Sequence, residues 1–140
     1  MSRKKYTDQE NESAALHEPF AAYMPGSYYK LSFSGISKNY LKKIFRFCHL
    51  SLDEFIQLLP ISLDTYKKNQ VFKPHVTEKV LEIEEVYRKG IDAFGEDFYS
   101  WMETVNPALG NVMPKSLLVN SFGIRMLLDE IGRLEHGVLA

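Results

Sequence analysis

The sequence predicts an all-α protein, and three features support this fold class. Apolar residues recur at helical spacing in several segments, serines stand where helix N-caps are expected, and prolines and glycines separate the segments. The 140 residues suffice for one domain or for two small helical lobes that share a core. We predict an arm and linker at 1–34, a helix-turn-helix lobe at 35–90 and a small C-terminal helical lobe at 91–140, with a long helix joining the two lobes.

The first 34 residues are predicted to contribute little to the core. Residues 1 to about 26 carry few large apolar side chains, so we expect a mobile arm. Residues 28–34 alternate apolar or aromatic with polar side chains, which is typical of an extended segment. Because a lone strand has no partner elsewhere in the chain, we interpret this segment as a linker that packs against the helices.

The first predicted helix follows Ser37, a residue suited to cap a helix N-terminus. Its apolar face repeats at steps of three and four residues and comprises Leu41, Ile44, Phe45 and Cys48. Cys48 is the single cysteine of the chain, so it has no internal disulfide partner. Its position on this face predicts a buried, reduced thiol.

Two shorter helices follow and form the outline of a helix-turn-helix. Ser51 and Glu54 have the spacing of a capping box, and Pro60 stops the helix that they open. Ser62 is expected to cap the next helix, at about 63–69. Two capped helices joined by a short turn are typical of a helix-turn-helix and, with the basic charge of this region, favour a recognition helix at 63–69. The alternative is a short solvated helix.

A long helix is predicted from Pro74 to about Phe94. Proline is favoured in the first turn of a helix, and apolar residues recur along the segment at steps of three and four. Gly90 is expected to loosen this helix and Gly95 to end it.

Three shorter helices complete the prediction. The first carries the stripe Phe98, Trp101, Met102 and Val105 and ends before Pro107, because a residue that precedes proline avoids helical geometry. A short helix starts at Pro114 and runs through Leu118. The last helix ends at Gly137 as its C′ residue. Its apolar face comprises Ile124, Leu127, Leu128, Ile131 and Leu134.

Charge is distributed unevenly along the chain. Residues 28–73 carry eight basic and three acidic side chains, a balance of +5, whereas residues 74–140 carry six basic and eleven acidic side chains, a balance of −5. This division suits a protein that presents one lobe to a polyanion and the other to a different partner. The same charges would also solvate helix faces, and charge alone favours neither interpretation.

Catalytic and metal-binding patterns are missing from the sequence. The four histidines lack metal-ligand spacing, and residues 110–116 lack the second glycine of a phosphate-binding loop. Apolar runs are too short to span a bilayer, and the N-terminus is not signal-like. We therefore expect a cytoplasmic protein without enzymatic activity, catalytic residues, metal, cofactor or membrane contact.

The C-terminal third carries a dense set of motif residues. They are Trp101, Asn106, Pro107, Ala108, Leu109, Gly110, Pro114, Leu117, Leu118, Gly132, Arg133, Leu134, Glu135, His136, Gly137 and Val138. This pattern, over about the last 60 residues, resembles the toxin-binding domain of the Xre/MbcA/ParS family of bacterial antitoxins. Residues 37–87 resemble the Xre-like helix-turn-helix that precedes this domain in the family, but Pro60 and Asp64 depart from the family pattern. Asp64 would repel phosphate, which is expected to weaken DNA binding.

The resemblance implies an antitoxin that binds a cognate toxin, commonly a RES-domain protein that consumes NAD, and blocks its active site with the C-terminal region. The toxin-binding residues implied are Asn106, Pro107, Leu109, Gly110, Pro114, Arg133, Glu135, His136, Gly137, Val138 and Ala140. Binding of operator DNA, with autorepression, would involve Ser62, Thr65, Tyr66, Lys67, Lys68 and Asn69, together with Lys42 and Lys43. A homodimer within a toxin-antitoxin hetero-oligomer is expected. The alternative is a helix-turn-helix transcriptional regulator without a toxin partner.

Overall fold

The computed structural model describes residues 25–137, and the regular elements in that range are helices. The α-helices are α1 (Pro25–Ser34), α2 (Lys38–Phe47), α3 (Leu52–Leu58), α4 (Leu63–Lys68), α5 (Pro74–Phe94), α6 (Asp97–Met102) and α7 (Ser121–Glu135). Two 3₁₀ helices, η1 (Pro107–Leu109) and η2 (Pro114–Val119), lie between α6 and α7. The all-α prediction is confirmed.

Serine caps fix the starts of three helices, as the sequence predicts. The side-chain oxygens of Ser37, Ser51 and Ser62 accept hydrogen bonds from the backbone amides three residues further on, at 3.1, 3.2 and 3.1 Å. Each bond satisfies an amide that has no partner within its own helix. The beginnings of α2, α3 and α4 are therefore set by local sequence.

The central element is α5, which packs against α1, α2, α6 and α7. Its residues Val80, Ile83, Val86 and Tyr87 are buried and belong to one apolar cluster that extends from α2 to α7. The predicted boundary between residues 90 and 91 falls inside α5. The described parts of both predicted lobes therefore share a core, and the division into two lobes stays a prediction.

A buried polar cluster fastens α2 to α5. The Tyr40 hydroxyl lies 3.0 Å from each carboxylate oxygen of Glu84, to which it donates, and the Arg88 guanidinium lies 3.8 Å from the same carboxylate. Glu84 and Arg88 are almost fully buried. Burial raises the pKa of the Glu84 carboxyl above its ordinary value, while Tyr28, Arg88 and Tyr40 act in the opposite direction. The cluster satisfies charges that would otherwise be costly in the core.

Residues 28–34 are helical, so the prediction of an extended segment is wrong. They belong to α1, which packs on α5. Seven residues are too few to distinguish a period of 2 from one of 3.6, and the helix satisfies its backbone hydrogen bonds without a partner strand. The prediction of a mobile arm falls on residues outside the described range, except that Pro25 and Gly26 begin α1.

The stripe that includes Val105 ends earlier than predicted, because α6 stops at Met102. Val105 is 55% exposed. The chain leaves the helix so that the Asn106 amide can donate to the Val112 carbonyl, at 3.0 Å, in an isolated antiparallel bridge. The predicted helix end at Asn106-Pro107 is therefore wrong by a turn.

Two glycines of the long helix behave differently. Gly95 ends α5 with a left-handed φ of 64°, as predicted. Gly90 does not loosen the helix, which continues to Phe94. A Cβ at position 90 would lie 2.1 Å from Cε1 of Phe98, so Gly90 is where the Phe98 ring packs against α5.

The other predicted features of the core are mostly confirmed. Cys48 is a buried free thiol, and burial raises its pKa. Gly137 follows α7 with a φ of 62°, as expected for a C′ residue. Leu134, in contrast, is exposed at the end of the α7 apolar stripe. None of the helices described between residues 25 and 137 has the length and apolarity needed to span a membrane.

Candidate functional site

The turn at residues 106–112 is closed by hydrogen bonds to Asn106. The Asn106 side-chain oxygen accepts from the Ala108 amide at 2.9 Å, and its carbonyl accepts from the amides of Leu109 and Asn111 at 3.1 and 3.0 Å. Gly110 and Asn111 adopt left-handed backbone angles, φ 85° and 61°, which these two residue types tolerate best. Asn106 and Gly110 are therefore required to form the turn.

The predicted toxin-binding residues of this turn divide by exposure. Pro107 and Gly110 are exposed, and Asn106 is half-buried. Leu109 and Pro114 are buried and lie beneath the exposed residues of the turn, so their contact with a toxin stays a prediction. The turn itself packs against α7 through η1, which joins two of the segments that the sequence singled out.

The end of α7 presents the other predicted toxin-binding residues. Arg133 Nε donates to Glu130 Oε2 at 2.9 Å, and a second guanidinium nitrogen donates to Oε1, so the pair is bidentate. Arg133 lowers the pKa of the Glu130 carboxyl. Glu135, His136 and Gly137 are exposed. Val138 and Ala140 lie outside the described residues.

Exposed apolar side chains concentrate in this part of the molecule. Ten large apolar residues are exposed within residues 25–137, and seven of them lie between residues 105 and 134. These seven are Val105, Val112, Met113, Val119, Phe122, Met126 and Leu134. An apolar surface of this kind marks interaction sites on soluble proteins.

Sequence reasoning missed the most exposed of these residues. Phe122 is 73% and Met126 is 43% exposed, one helical turn apart on the side of α7 opposite its buried stripe. Two apolar residues at i and i+4, out of register with the main stripe, were the signal available in the sequence.

Two adjoining clefts separate α3 from η2 and the start of α7. One, of about 300 Å³, is largely apolar and includes Leu50, Leu58 and Met113; the other, of about 430 Å³, is polar and includes Lys79 and Glu82. Desolvation lowers the pKa of Lys79 and raises that of Glu82. The clefts lie beside Val119, at one border of the exposed apolar region.

The predicted DNA-binding residues lie on α2 and α4, whose ends meet. The Lys38 amide donates to the Gln70 carbonyl at 2.8 Å, and the Lys38 ammonium donates to the Lys67 carbonyl at 3.0 Å. Lys67 and Lys68 are exposed on α4, and Lys42 is half-buried one turn beyond Lys38. Lys43 is half-buried beside Lys42. The basic side chains are thus gathered at one junction.

Several polar groups of α4 are already engaged in local hydrogen bonds. The hydroxyls of Ser62 and Thr65 are 3.0 Å apart, and Ser62 also caps the helix. The Asn69 amide nitrogen donates to the Thr65 carbonyl at 2.8 Å. These polar groups stabilise the ends of α4. The exposed side chains of α4 that carry a positive charge are Lys67 and Lys68.

Tyr66 differs from the other predicted DNA-binding residues of α4 because it is buried. It is 5% exposed and its ring stacks on Phe72, with centroids 6.1 Å apart and planes 8° from parallel. The Lys38 ammonium lies 4.9 Å from the ring centroid. Helix α4 has only six residues, and the face that carries Tyr66 is the face that packs into the core. The DNA contact of Tyr66 stays a prediction, and we leave this buried residue out of the phosphate contacts that we propose below.

No cluster of three His, Cys, Asp or Glu side chains suited to a metal ion occurs within residues 25–137. The geometry of this range provides surfaces for contact with other molecules: an apolar region with an exposed helix end, and a basic junction.

Comparison with known proteins identifies the C-terminal part. Residues 89–137 match the antitoxin Xre/MbcA/ParS C-terminal toxin-binding domain. The similarity to this family therefore rests on residues 89–137, which we call the Xre/MbcA/ParS domain. The family resemblance expected for this part of the sequence is confirmed. The Xre/MbcA/ParS domain comprises the end of α5, α6, η1, η2 and α7, and therefore the whole exposed apolar region between residues 105 and 134.

A curated relative supports the same family. The chain is 38% identical over 72 residues to the protein named antitoxin Xre from Yersinia enterocolitica serotype O:8 / biotype 1B. The aligned part covers 49% of this chain and 49% of the relative, so the chain matches about half the length of that protein. The resemblance of residues 37–87 to an Xre-like helix-turn-helix stays a prediction.

Proposed function

We propose that this protein is the antitoxin of a toxin-antitoxin pair. The observation that carries the proposal is the match of residues 89–137 to a toxin-binding domain. The concentration of exposed apolar side chains in the same segment supports it, because such surfaces are typical of protein-protein interfaces. The function is binding, and no bond of a substrate is made or broken by this chain.

We propose further that the C-terminal tail blocks the active site of the toxin. Glu135, His136 and Gly137 are exposed beyond the last buried residue of α7, Ile131, so they are available to enter a cavity of the partner. The bidentate pair of Arg133 with Glu130 holds the start of the tail in one orientation. The family resemblance suggests a RES-domain toxin, in which case NAD is the substrate of the partner and not a ligand of this chain.

Co-expression with the adjacent gene product tests the antitoxin function. We expect the two proteins to co-purify, and we expect this chain to relieve growth arrest caused by the other protein. A separate assay of cellular NAD tests whether the toxin consumes it. Failure of the wild-type chain both to co-purify and to relieve toxicity would refute the proposal.

Truncation tests the role of the tail. A chain that lacks residues 135–140 keeps every buried residue of α7, so circular dichroism should show an almost unchanged helix content. We expect this variant to lose neutralisation. Matched charge changes far from the tail, Lys67→Gln and Lys68→Gln on α4, should leave neutralisation intact. Full neutralisation by the truncated chain would show that residues 135–140 do not block the toxin.

A second function, autorepression through DNA binding, is favoured by the basic junction of α2 and α4. We propose that Lys67 and Lys68, with Lys42 and Lys43, contact phosphates of operator DNA, and that Ser62, Thr65 and Asn69 lie at the same surface. A homodimer would present two such surfaces to a palindromic site. Asp64 is exposed on α4 and would oppose binding.

Salt dependence tests the DNA contacts. If Lys67 and Lys68 contact phosphates, replacing both with Gln should reduce the slope of log affinity against log salt by about 2. The control is Lys89→Gln, since Lys89 pairs with Glu85 on α5 at 3.3 Å. A slope that does not change would refute the phosphate contacts. An operator shift by a chain that neither binds nor neutralises the adjacent gene product would instead favour a transcriptional regulator without a toxin partner.

A further inference from the structure

Helix α7 has one surface that packs into the core and one that has no partner within the described chain. The second surface, which we call the outer face of α7, comprises Phe122, Arg125, Met126, Asp129 and Arg133 at helical spacing. Arg133 pairs with Glu130 of the same helix. Its N-terminal end is apolar and its C-terminal end is polar. The exposed tail begins directly after it.

The apolar end of this face consists of two exposed side chains. Phe122 is the most exposed large apolar residue in the described chain, and Met126 lies one turn further on the same side. Apolar residues at i and i+4 are the anchors of helices that bind in a groove of a partner protein. Large aromatic anchors of this kind contribute most of the binding energy in many interfaces.

Charge indicates what the partner presents beside these anchors. The Arg125 guanidinium carbon lies 5.7 Å from the centroid of the Phe122 ring, a cation-π arrangement. Among the residues that the structure describes, no carboxylate lies within 4.0 Å of the Arg125 guanidinium. A partner with an apolar groove and a carboxylate at its edge would complement both side chains.

The position of the face relative to the tail matters for inhibition. Phe122 and Gly137 are 15 residues apart, which corresponds to about 22 Å along a helix. A protein that covers the outer face therefore reaches the point where the tail leaves α7. Docking and blocking can then be carried out by separate groups of residues.

We propose that the outer face of α7 is the surface on which the toxin docks, through Phe122, Met126 and Arg125, and that it holds the partner independently of the tail. This inference rests on the proposed antitoxin function. The toxin contributes an apolar groove for two side chains one turn apart and an acidic group for Arg125. The tail then supplies inhibition and little of the affinity.

The double variant Phe122→Ser, Met126→Ser tests the docking surface in the full-length chain. Both side chains are exposed, so circular dichroism and the thermal midpoint should stay close to those of the wild type. We expect affinity for the purified adjacent gene product, measured by titration calorimetry, to fall at least about tenfold. Arg125→Glu should weaken binding as well, because it would face the carboxylate of the partner.

A matched control is available on α1. Tyr29 and Phe33 are 67% and 68% exposed and pack edge to face at 5.0 Å, but they lie outside the Xre/MbcA/ParS domain. Tyr29→Ser with Phe33→Ser should leave the affinity within about twofold of the wild type. The chain that lacks residues 135–140 should still bind the toxin while failing to neutralise it.

The outcomes separate this inference from the function on which it rests. If the wild-type chain does not bind the adjacent gene product, the antitoxin proposal fails. If the wild type binds and neutralises, and the Phe122 and Met126 variant binds equally well, only the docking surface is overturned. A variant that loses self-association but keeps its affinity for the toxin would also overturn it, because the face would then bind a second copy of this chain.

Discussion

At two positions only glycine fits, because a side chain there would overlap atoms that are not neighbours in the local sequence. At Gly90 a Cβ would meet the Phe98 ring, and at Gly123 it would lie 1.9 Å from the Leu117 carbonyl oxygen. Neither residue has the positive φ that usually explains a glycine. Both allow a close approach, of α6 to α5 and of η2 to α7. The absence of a side chain at these positions is therefore part of the packing.

Gly90→Ala should destabilise the protein. The added methyl group overlaps the Phe98 ring, and such overpacking costs about 1 to 3 kcal/mol of the free energy of unfolding. The control is Gly132→Ala on α7, where a Cβ meets no atom within 4 Å and alanine favours the helix by up to about 1 kcal/mol. Chemical denaturation of both variants measures the difference. Equal stability of Gly90→Ala and the wild type would contradict the contact.

Glu84 should make stability depend on pH. Burial raises its pKa above 4.5, so the native carboxyl stays protonated at pH values where the unfolded one has ionised. The native state then binds more protons, and the free energy of unfolding falls as pH rises from about 4.5 through the raised pKa. Glu84→Gln removes this contribution, so its stability relative to the wild type should improve with pH across that window.

Tyr40→Phe should strengthen the pH dependence of stability that Glu84→Gln removes. Its hydroxyl donates to both Glu84 oxygens and so opposes the rise in the pKa of Glu84. Loss of the hydroxyl should raise that pKa further and steepen the decline of stability with pH. Denaturation midpoints taken at intervals from pH 4 to pH 8 would show both effects, and parallel curves for all three proteins would exclude a titrating Glu84.

At the scale of elements, caps and turns were predictable because their interactions are short-range. Ser37, Ser51 and Ser62 each bond an amide three residues away, and Gly95 and Gly137 end helices with positive φ. Residues 28–34 and Val105 were not predicted correctly, because helical spacing alone does not decide them. Residues 28–34 pack on α5, which is distant in sequence, and the chain leaves the helix near Val105 to form the Asn106–Val112 bridge.

The cap of α7 is a further local interaction, and its removal should weaken the helix that carries the outer face. The Asn120 side-chain oxygen accepts from the Gly123 amide at 2.9 Å. Asn120→Ala should cost about 1 kcal/mol of the free energy of unfolding, a typical value for an N-cap. Asn39→Ala, at an exposed position that caps no helix, is the control. Equal losses for both variants would argue against a capping role.

At the scale of the whole molecule, the core extends across residue 90, where the two lobes are predicted to meet. Helix α5 supplies buried residues to neighbours on both sides of residue 90, including α2 and α7. The Xre/MbcA/ParS domain begins at residue 89, so it contains only the last turns of that helix. Its exposed apolar surface is therefore supported by residues that precede it in the sequence.

A fragment of residues 91–140 should not fold alone. It lacks Val80, Ile83 and Tyr87, against which α6 and α7 bury their apolar faces, and short isolated helices are marginal in water. We expect circular dichroism to show little helix, whereas the full chain should unfold in one cooperative transition. A fragment with the full helix content expected for α6 and α7, and a cooperative thermal transition, would show that the C-terminal lobe is independent.

The candidate sites follow the same division between local and distant interactions. The motif residues around Asn106 and Arg133 were found from sequence, since each has a local structural role at a turn or a helix end. The burial of Tyr66 was not predicted, because a short helix does not reveal which side faces the core. Phe122 and Met126 were missed because exposure of an apolar residue is evident only when the rest of the fold is in place.

The sequence by itself determined the fold class, the helix caps and the resemblance of the C-terminal part to a toxin-binding domain, because these depend on spacing and on residues close to one another in the chain. Only the tertiary structure decided which face of each helix is buried, that α5 unites the described parts of both lobes in one core, and that the outer face of α7 is left open. Burial depends on contacts between residues far apart in sequence, and a local pattern does not specify them.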